Sequence, residues 1–429
     1  MSRLSVQWRG RRELPYSQVV SELRGAQRSW EAMGFEARAE HIAELGRYWA
    51  GDHTALWERL ESGLGTSAPM LSWGFEQTMS GWTPEALMEL VRLELGANPP
   101  AAPTLCGVVL ASTVPPAGLQ SVVLALLGGS AVCVRSARRL QPLLEAFVDS
   151  AEECAPELSK VLALVGFDWA DALAADEFVA PLEVLAVHGS SEAVASWRSV
   201  ASARTRGGSL RGPSVLGSER NPVTGSRRLV AYGHRLSAAW VGAGVEAAGI
   251  AKALALDLCA WDQSGCLSPQ VLFVEGDVVR ATVVAEAVCA ALPEVERALP
   301  MGALEVWARG ARERFVRARM VEAEVLRAAT GAILLVHDEP GPLEPGCGAR
   351  VLVVRPTPDL KGLVASLEAA SPHLQSLGVA GLDAAGQRKL LAQLRPHGLN
   401  RLCALGEMQR PELSWVHDGI GSMAPLRGL

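Results

Sequence analysis

The sequence predicts an α/β protein with two doubly wound parallel-sheet lobes, because short unbroken apolar runs alternate with helical stretches in two successive series from residue 105 onward. The first series is Leu105 to Ala111, Ala131 to Arg135, Val161 to Val165, Val184 to Val187 and Leu229 to Tyr232. The second is Val271 to Val274, Leu304 to Ala308, Ile333 to Val336, Val351 to Val354 and Leu402 to Leu405. Strands covered on both faces read as continuous apolar runs, which is the mark of a parallel sheet. At 429 residues and 49% hydrophobic, the chain also exceeds what one core supports, since single cores stop growing near ~250–300 residues.

Ahead of the first run, residues 1 to 95 read as helices. Val19, Val20 and Leu23 recur at helical spacing, and Thr83-Pro84-Glu85 opens Ala86 to Leu95 as cap, first-turn proline and first-turn acid. Between the two series, Ala201 to Ser226 is rich in Arg, Gly and Ser, and a long loop near the junction of the lobes is expected.

Composition excludes several function classes. A net charge of −6 and a pI near 5.9, with no basic run interleaved with aromatics, argue against a nucleic-acid partner. No segment reaches the ~18 apolar residues of a membrane span, and Met1-Ser2-Arg3-Leu4-Ser5 leads into polar sequence, so a cytoplasmic protein is expected. Eight cysteines lie scattered without CxxC pairs or histidines at ligand spacing, so neither a metal site nor a disulfide frame is expected.

One cysteine stands apart. Gly265 before Cys266 permits a tight backbone approach, and Ser268-Pro269 after it stops a helix, so the thiol falls on a loop. A loop thiol near backbone amides is suited to attack a carbonyl. Taken alone, such a residue is more often a small packing hydrophobe.

The whole segment Asp262-Gln263-Ser264-Gly265-Cys266-Leu267-Ser268-Pro269-Gln270 resembles the active-site segment of long-chain acyl-CoA reductases of the bacterial luminescence (LuxC) type, a branch of the aldehyde dehydrogenase superfamily. Further segments resemble that family in the same order. They are Val114-Pro115-Pro116-Ala117-Gly118-Leu119, Gly189-Ser190-Ser191-Glu192, Tyr232-Gly233-His234-Arg235-Leu236-Ser237, Gly406-Glu407-Met408-Gln409 and Trp415-Val416-His417-Asp418-Gly419. The resemblance implies an aldehyde-dehydrogenase-like fold. Its parts would be a helical portion over 1–95 packing on a cofactor lobe over 96–237, a catalytic lobe over 238–400 and a segment over 401–429 returning to the cleft. It also implies a small oligomerisation element and a homo-oligomer. The implied reaction is NADPH-dependent reduction of a fatty acyl thioester, on CoA or an acyl carrier protein, to the aldehyde through an acyl group on Cys266. Acyl-transfer enzymes are implied as further partners.

The resemblance also assigns roles elsewhere. The strand Val184 to Val187 runs into Gly189, Ser190 and Glu192 at a helix N-terminus, where amides and the helix dipole suit a pyrophosphate; a plain serine cap would look the same. Arg135 falls where the superfamily usually has a lysine on the adenosine ribose and would grip a 2′-phosphate, or else is a solvated strand-end cation. Gly242 to Ala247 satisfies GxGxxA but lacks a firm strand before it, so helix-entry glycines are the expected meaning. Thr113 stands where an asparagine usually supports the oxyanion, and losing one such donor typically costs ~10²–10³ in rate. No acid stands near Ala231, where the superfamily keeps its water-activating glutamate, as suits a reductase whose acyl group must not be hydrolysed. His234 is a candidate proton donor or a surface histidine, and Asp338 a candidate partner of the nicotinamide ribose or part of a surface turn. Trp415, His417 and Asp418 either line the cleft or dock a terminal tail. The departures at Thr113 and Arg135 leave open a second reading, an acyl-binding relative impaired in catalysis that serves as an assembly partner.

Overall fold

The structure is a computed structural model that describes residues 3–203 and 228–429. It forms two compact units, one from residues 1–53, 74–233 and 412–429, the other from 54–73 and 234–411. The loop expected over Ala201 to Ser226 lies outside the described residues beyond the end of helix Ser191–Ala203.

The first unit holds β1 (Ser5–Trp8), β2 (Arg11–Arg12), β3 (Leu105–Leu110), β4 (Ala131–Ser136), β5 (Leu162–Gly166), β6 (Val184–His188) and β7 (Arg228–Tyr232). Their order is β2-β1-β5-β4-β3-β6-β7, with β3 to β7 all parallel and β1 antiparallel to both β5 and β2. The strand order reverses at β3, which puts the ligand crevice of such a sheet at the carboxyl ends of β3 and β6. Every residue of β3 and β4 is buried, which is why both stood out as apolar runs.

The expected all-helical start is corrected at its first residues. Residues 5–12 form a hairpin that extends the sheet, and helices begin only at Tyr16. From there the expectation holds: Val19, Val20 and Leu23 are buried, and the Thr83 hydroxyl accepts from Ala86 N at 3.2 Å. Helices Tyr16–Ala32 and Gly34–Trp49 fasten to the end of helix Pro115–Leu127, where Trp30 Nε1 and Arg38 Nε donate to the carbonyls of Leu126 and Leu127, both at 2.8 Å. Those carbonyls would otherwise be left without intrahelical partners. The C-terminal residues close the same unit: the Glu94 carboxylate accepts from the backbone N–H groups of Ser422, Met423 and Ala424, and Arg427 donates to the carbonyls of Pro100 and Gly128.

The second unit holds β8 (Leu236–Val241), β9 (Pro269–Glu275), β10 (Ala323–Arg327), β11 (Ile333–His337), β12 (Val351–Thr357), β13 (Leu374–Ala380) and β14 (Arg401–Ala404). Their order is β10-β11-β12-β9-β8-β13-β14, parallel except for the β10–β11 pair. The strand expected at Leu304 to Ala308 is instead the entry to helix Val306–Arg319. The expected division at residue 401 also shifts, because β14 pairs with β13 and residues up to 411 belong here. Residues 54–73 join this unit, with the Ser67 hydroxyl donating to Pro300 O at 2.7 Å. Among the described residues, no helix is long and apolar enough to cross a membrane.

Candidate active site

Helix Ala247–Cys259 ends in a turn over Ala260–Gln263 in which three successive residues other than glycine are left-handed: Trp261 (φ 56°), Asp262 (φ 50°) and Gln263 (φ 61°). Each costs roughly 1–2 kcal/mol in that conformation, so surrounding contacts must hold them there. Gln263 Oε1 accepts from Val351 N at 2.9 Å, and its Nε2 donates to Pro269 O at 2.8 Å. Trp261 N donates to Met70 Sδ at 3.2 Å, and Asp262 O accepts from Ala349 N at 2.9 Å.

The Asp262 carboxylate is the centre of the brace. Arg350, with 0% exposure, gives it Nε at 2.8 Å, gives Glu296 Nη1 at 3.0 Å and gives Leu299 O Nη2 at 2.8 Å. Gly302 N completes the set at 3.0 Å from Asp262 Oδ2. Burial pushes both the Asp262 and Glu296 carboxyls up, and Arg350 opposes it. A charge triad of this kind adds little net stability over an apolar core, but losing one member leaves the others buried and unpaired.

This brace delivers Ser264, Gly265 and Cys266. Ser268 N donates to Gly265 O at 3.0 Å, closing a tight turn across Cys266, while the Ser237 hydroxyl donates to Cys266 O at 2.7 Å. Ser268 is fully buried and its hydroxyl accepts from Gln409 Nε2 at 3.3 Å, so the thiol stands half-buried on a loop pinned from both sides. The same unit holds a cavity of about 450 Å³ lined by Trp73, Leu256, Val295, Leu299, Leu405 and Arg410, among others. Trp73 packs on Trp261 of the turn, ring centroids 6.4 Å apart.

His234 is exposed on the linker into β8, three residues before Ser237. Asp338 is exposed immediately after β11. The expectation for Gly242 to Ala247 needs one correction, since β8 runs directly into it and supplies the missing strand. The turn is nonetheless unsuited to a phosphate. Its Ala243 N already donates to the Glu275 carboxylate at 2.9 Å, and Arg280 Nη2 donates to the carbonyls of Gly242 and Val245, both at 2.8 Å.

In the first unit, Thr113 is exposed on the loop between β3 and helix Pro115–Leu127. β6 ends at His188, and Gly189 leads into helix Ser191–Ala203. A Cβ on Gly189 would come 3.1 Å from Ala193 Cβ, so a larger residue there would crowd the first turn of the helix. The Ser190 hydroxyl caps the helix by accepting from Ala193 N at 3.2 Å, and Glu192 is exposed in its first turn.

Arg135 sits in β4 with 7% exposure, its guanidinium over the rings of Phe167, Trp169 and Trp197 at 4.8, 5.5 and 5.9 Å. It is therefore a buried residue held by cation–π contacts and not a solvated strand-end cation. Arg138 lies past the end of the same strand and lines, with Ser136 and Gln141, a cavity of about 590 Å³.

The C-terminal residues form a stack at the β6 and β7 ends that the sequence did not reveal. His188 lies on Tyr232 (4.5 Å between centroids), Tyr232 on His417 (4.5 Å) and His417 on Trp415 (4.6 Å). His188 Nε2 shares a hydrogen bond with the Ser121 hydroxyl at 2.8 Å, and burial followed by His417 pushes its imidazole down to about 3, so it is neutral at pH 7. Trp415 and His417 are thus docked residues that fix the strand end ahead of Gly189.

A family model described as acyl-CoA reductase (LuxC) matches residues 212–427, half of the chain. Among solved structures, the chain is similar to an NAD-dependent benzaldehyde dehydrogenase from Corynebacterium glutamicum (14% identity, 92% of this chain and 88% of that one, TM-score 0.65). It is also similar to the indole-3-acetaldehyde dehydrogenase AldA of P. syringae, solved in complex with NAD⁺ (12%, 90% and 80%, TM-score 0.69). A third is the aldehyde dehydrogenase KauB from Pseudomonas aeruginosa (13%, 90% and 80%, TM-score 0.69). At these identities the likeness establishes the aldehyde-dehydrogenase-like fold. No curated protein sequence matches the chain.

Proposed function

Since the chain belongs to the acyl-CoA reductase (LuxC) family and is an oxidoreductase, we propose that it reduces a fatty acyl thioester to the aldehyde with NADPH, the acyl group passing through Cys266. The observation that carries this reading is the Cys266 turn, a half-buried thiol on a loop whose strained base is held by an ion network centred on the fully buried Arg350. Such rigidity keeps a nucleophile in one geometry.

In the first half-reaction, Cys266 Sγ attacks the thioester carbonyl, its bond to that carbon forms, and the carrier's carbon–sulfur bond breaks. The carrier leaves as a thiol, taking one proton, for which His234 is the candidate donor. Dihydronicotinamide, when bound, supplies the hydride that the acyl carbon requires. Collapse then breaks the bond to Sγ, releasing the aldehyde and returning the thiolate. Thr113 is the candidate oxyanion support. The residue Ala231 in β7 brings no carboxylate that would activate water against the acyl group. The cavity beside Trp73 and Leu256 offers apolar surface to an acyl chain, at a volume usual for ligand pockets.

The first unit suits the cofactor, with glycine at the β6 turn and a 13-residue helix whose dipole faces it. Asp338 is the candidate for the nicotinamide ribose. Because Arg135 is committed to three aromatic rings, the 2′-phosphate falls to Arg138 on the adjoining cavity. Arg138→Glu should weaken NADPH binding roughly tenfold or more and leave NADH binding unchanged, as read by fluorescence titration. An unchanged ratio of the two affinities would refute the assignment.

The proposal as a whole is tested by incubating purified protein with acyl-CoA of several chain lengths and NADPH. The expected result is loss of nicotinamide absorbance matched by trapped aldehyde. Acylated Cys266 without aldehyde at any chain length would favour the acyl-binding, assembly-partner reading instead.

A further inference from the structure

We infer that the exposed face of helix Val306–Arg319 docks an acidic acyl carrier protein, which delivers its thioester to Cys266; the inference rests on the acyl-transfer role proposed above. In a chain of net charge −6, this helix carries Arg309, Arg312, Arg314, Arg317 and Arg319 against the single acid Glu313. Surface helices normally bury an apolar stripe. Here Val316 alone is buried, while Val306 is 82% exposed, Trp307 73%, and Val321 just beyond the helix 88%.

Two of the arginines are structural. Arg312 Nε donates to Ala349 O at 3.0 Å, and Arg319 lies over Phe315 and pairs with Glu344 at 2.8 Å. Arg314 and Arg317 remain on the exposed side with Trp307 and Val321, at the three- and four-residue spacing of one helix face. The Arg317 to Glu313 pair is 3.9 Å apart with both side chains mostly exposed, and such a pair contributes little. An exposed tryptophan flanked by arginines is the composition of a protein-binding patch.

The helix is also tied to the turn that carries the nucleophile. Ala349, whose carbonyl Arg312 holds, donates its N–H to Asp262 O, and Gly302 a few residues ahead of the helix donates to the Asp262 carboxylate. A second copy of this chain meeting this face with its own equivalent helix would set like charges against each other. Coenzyme A needs only a small phosphate cradle, whereas the helix face is ~21 Å long by its rise of ~1.5 Å per residue. An acidic protein meets both the charge and the size. The transfer itself breaks the carrier's thioester bond and forms that of Cys266, and the carrier departs as its free thiol.

The test compares wild type with the double variant Arg314→Glu/Arg317→Glu and with Trp307→Ala, each checked for folding by thermal melting. Calorimetric titration uses an acidic acyl carrier protein loaded with a tetradecanoyl thioester, and intact mass follows Cys266 acylation by tetradecanoyl-CoA. The double variant should bind the carrier at least about tenfold more weakly, Trp307→Ala severalfold, and wild-type affinity should fall as salt rises. Acylation by tetradecanoyl-CoA should stay within about twofold of wild type, since electrostatic docking is not needed there. Unchanged carrier affinity overturns the inference. So does a parallel loss of acylation by tetradecanoyl-CoA, which would assign the arginines to its phosphates, and so does a dimer that dissociates in the double variant. Failure of wild type to be acylated by either thioester would instead refute the acyl-transfer role.

Discussion

Cys266→Ser should fold like the parent and form no acyl-enzyme, with turnover reduced by at least ~10⁴-fold, the scale seen when a catalytic nucleophile is removed. The fold should survive because the turn is held through groups other than the thiol. Ser237 bonds the backbone carbonyl of residue 266, Ser268 N closes the turn on Gly265 O, and Gln263 and Asp262 bind remote strands and loops. The chemistry should not survive, because an alcohol oxygen lacks a thiolate's nucleophilicity at neutral pH. Burial pushes three of the other partly exposed thiols, Cys154, Cys289 and Cys347, each up to about 11, which makes them poor thiolates at neutral pH. Intact mass after incubation with acyl-CoA decides the matter. An acyl adduct of normal stoichiometry on the serine variant would remove Cys266 from the mechanism.

What could be seen in the chain follows from what each element buries. β3, β4 and β9 are covered on both faces and so appear as apolar runs rich in Leu and Val. β13 is as deeply buried but contains Gln375, Ser376 and Gly378, and no apolar run marks it. The glycine there is required by packing, since a Cβ would come 2.7 Å from Met408 Sδ. β8, with its Ser and two Ala, was hidden for the same reason, and its absence made Gly242 to Ala247 look strandless. The opposite error arose at Leu304 to Ala308, where Val306 and Trp307 form an apolar run that is exposed instead of buried.

The candidate site was legible only as far as its local sequence. The neighbourhood of Cys266 announced a loop and a family resemblance. Nothing near it announced Arg350 or Glu296, which lie 88 and 34 positions beyond Asp262 and meet it only through the packing of β9, β12 and the helix Val278–Ala298. For Arg135 the sequence showed a cation at a strand end but not the three rings that hold it, because Phe167, Trp169 and Trp197 come from two later segments. Nor did it show that the tail's His417 would stack on Tyr232.

The remote arginine gives the second large expected effect. Arg350→Met should cost about 3–5 kcal/mol of stability, because Asp262 and Glu296 are then buried without their cation. Their carboxyls, already pushed up by burial, then lose the guanidinium that held them down. A group whose folded-state value is raised loses stability as pH climbs through that value, so the variant should be weakest at the alkaline end, and denaturant titrations between about pH 5 and 8 read this directly. Loss of stability alone would not establish that Arg350 positions the nucleophile. The triple variant Asp262→Asn/Glu296→Gln/Arg350→Met removes every charge of the brace, and replacing a buried ion network with neutral groups is often close to neutral in stability. It should therefore recover most of the melting temperature while residue 262, in the middle of the left-handed run, loses its bond to residue 350, loosening the base of the Cys266 turn. Acylation of Cys266 in the triple variant should stay at least about tenfold slower than in wild type, since misplacing a nucleophile by about an ångström costs on the order of 10²-fold. Acylation at the wild-type rate would show that the ion network stabilises the second unit without positioning its thiol.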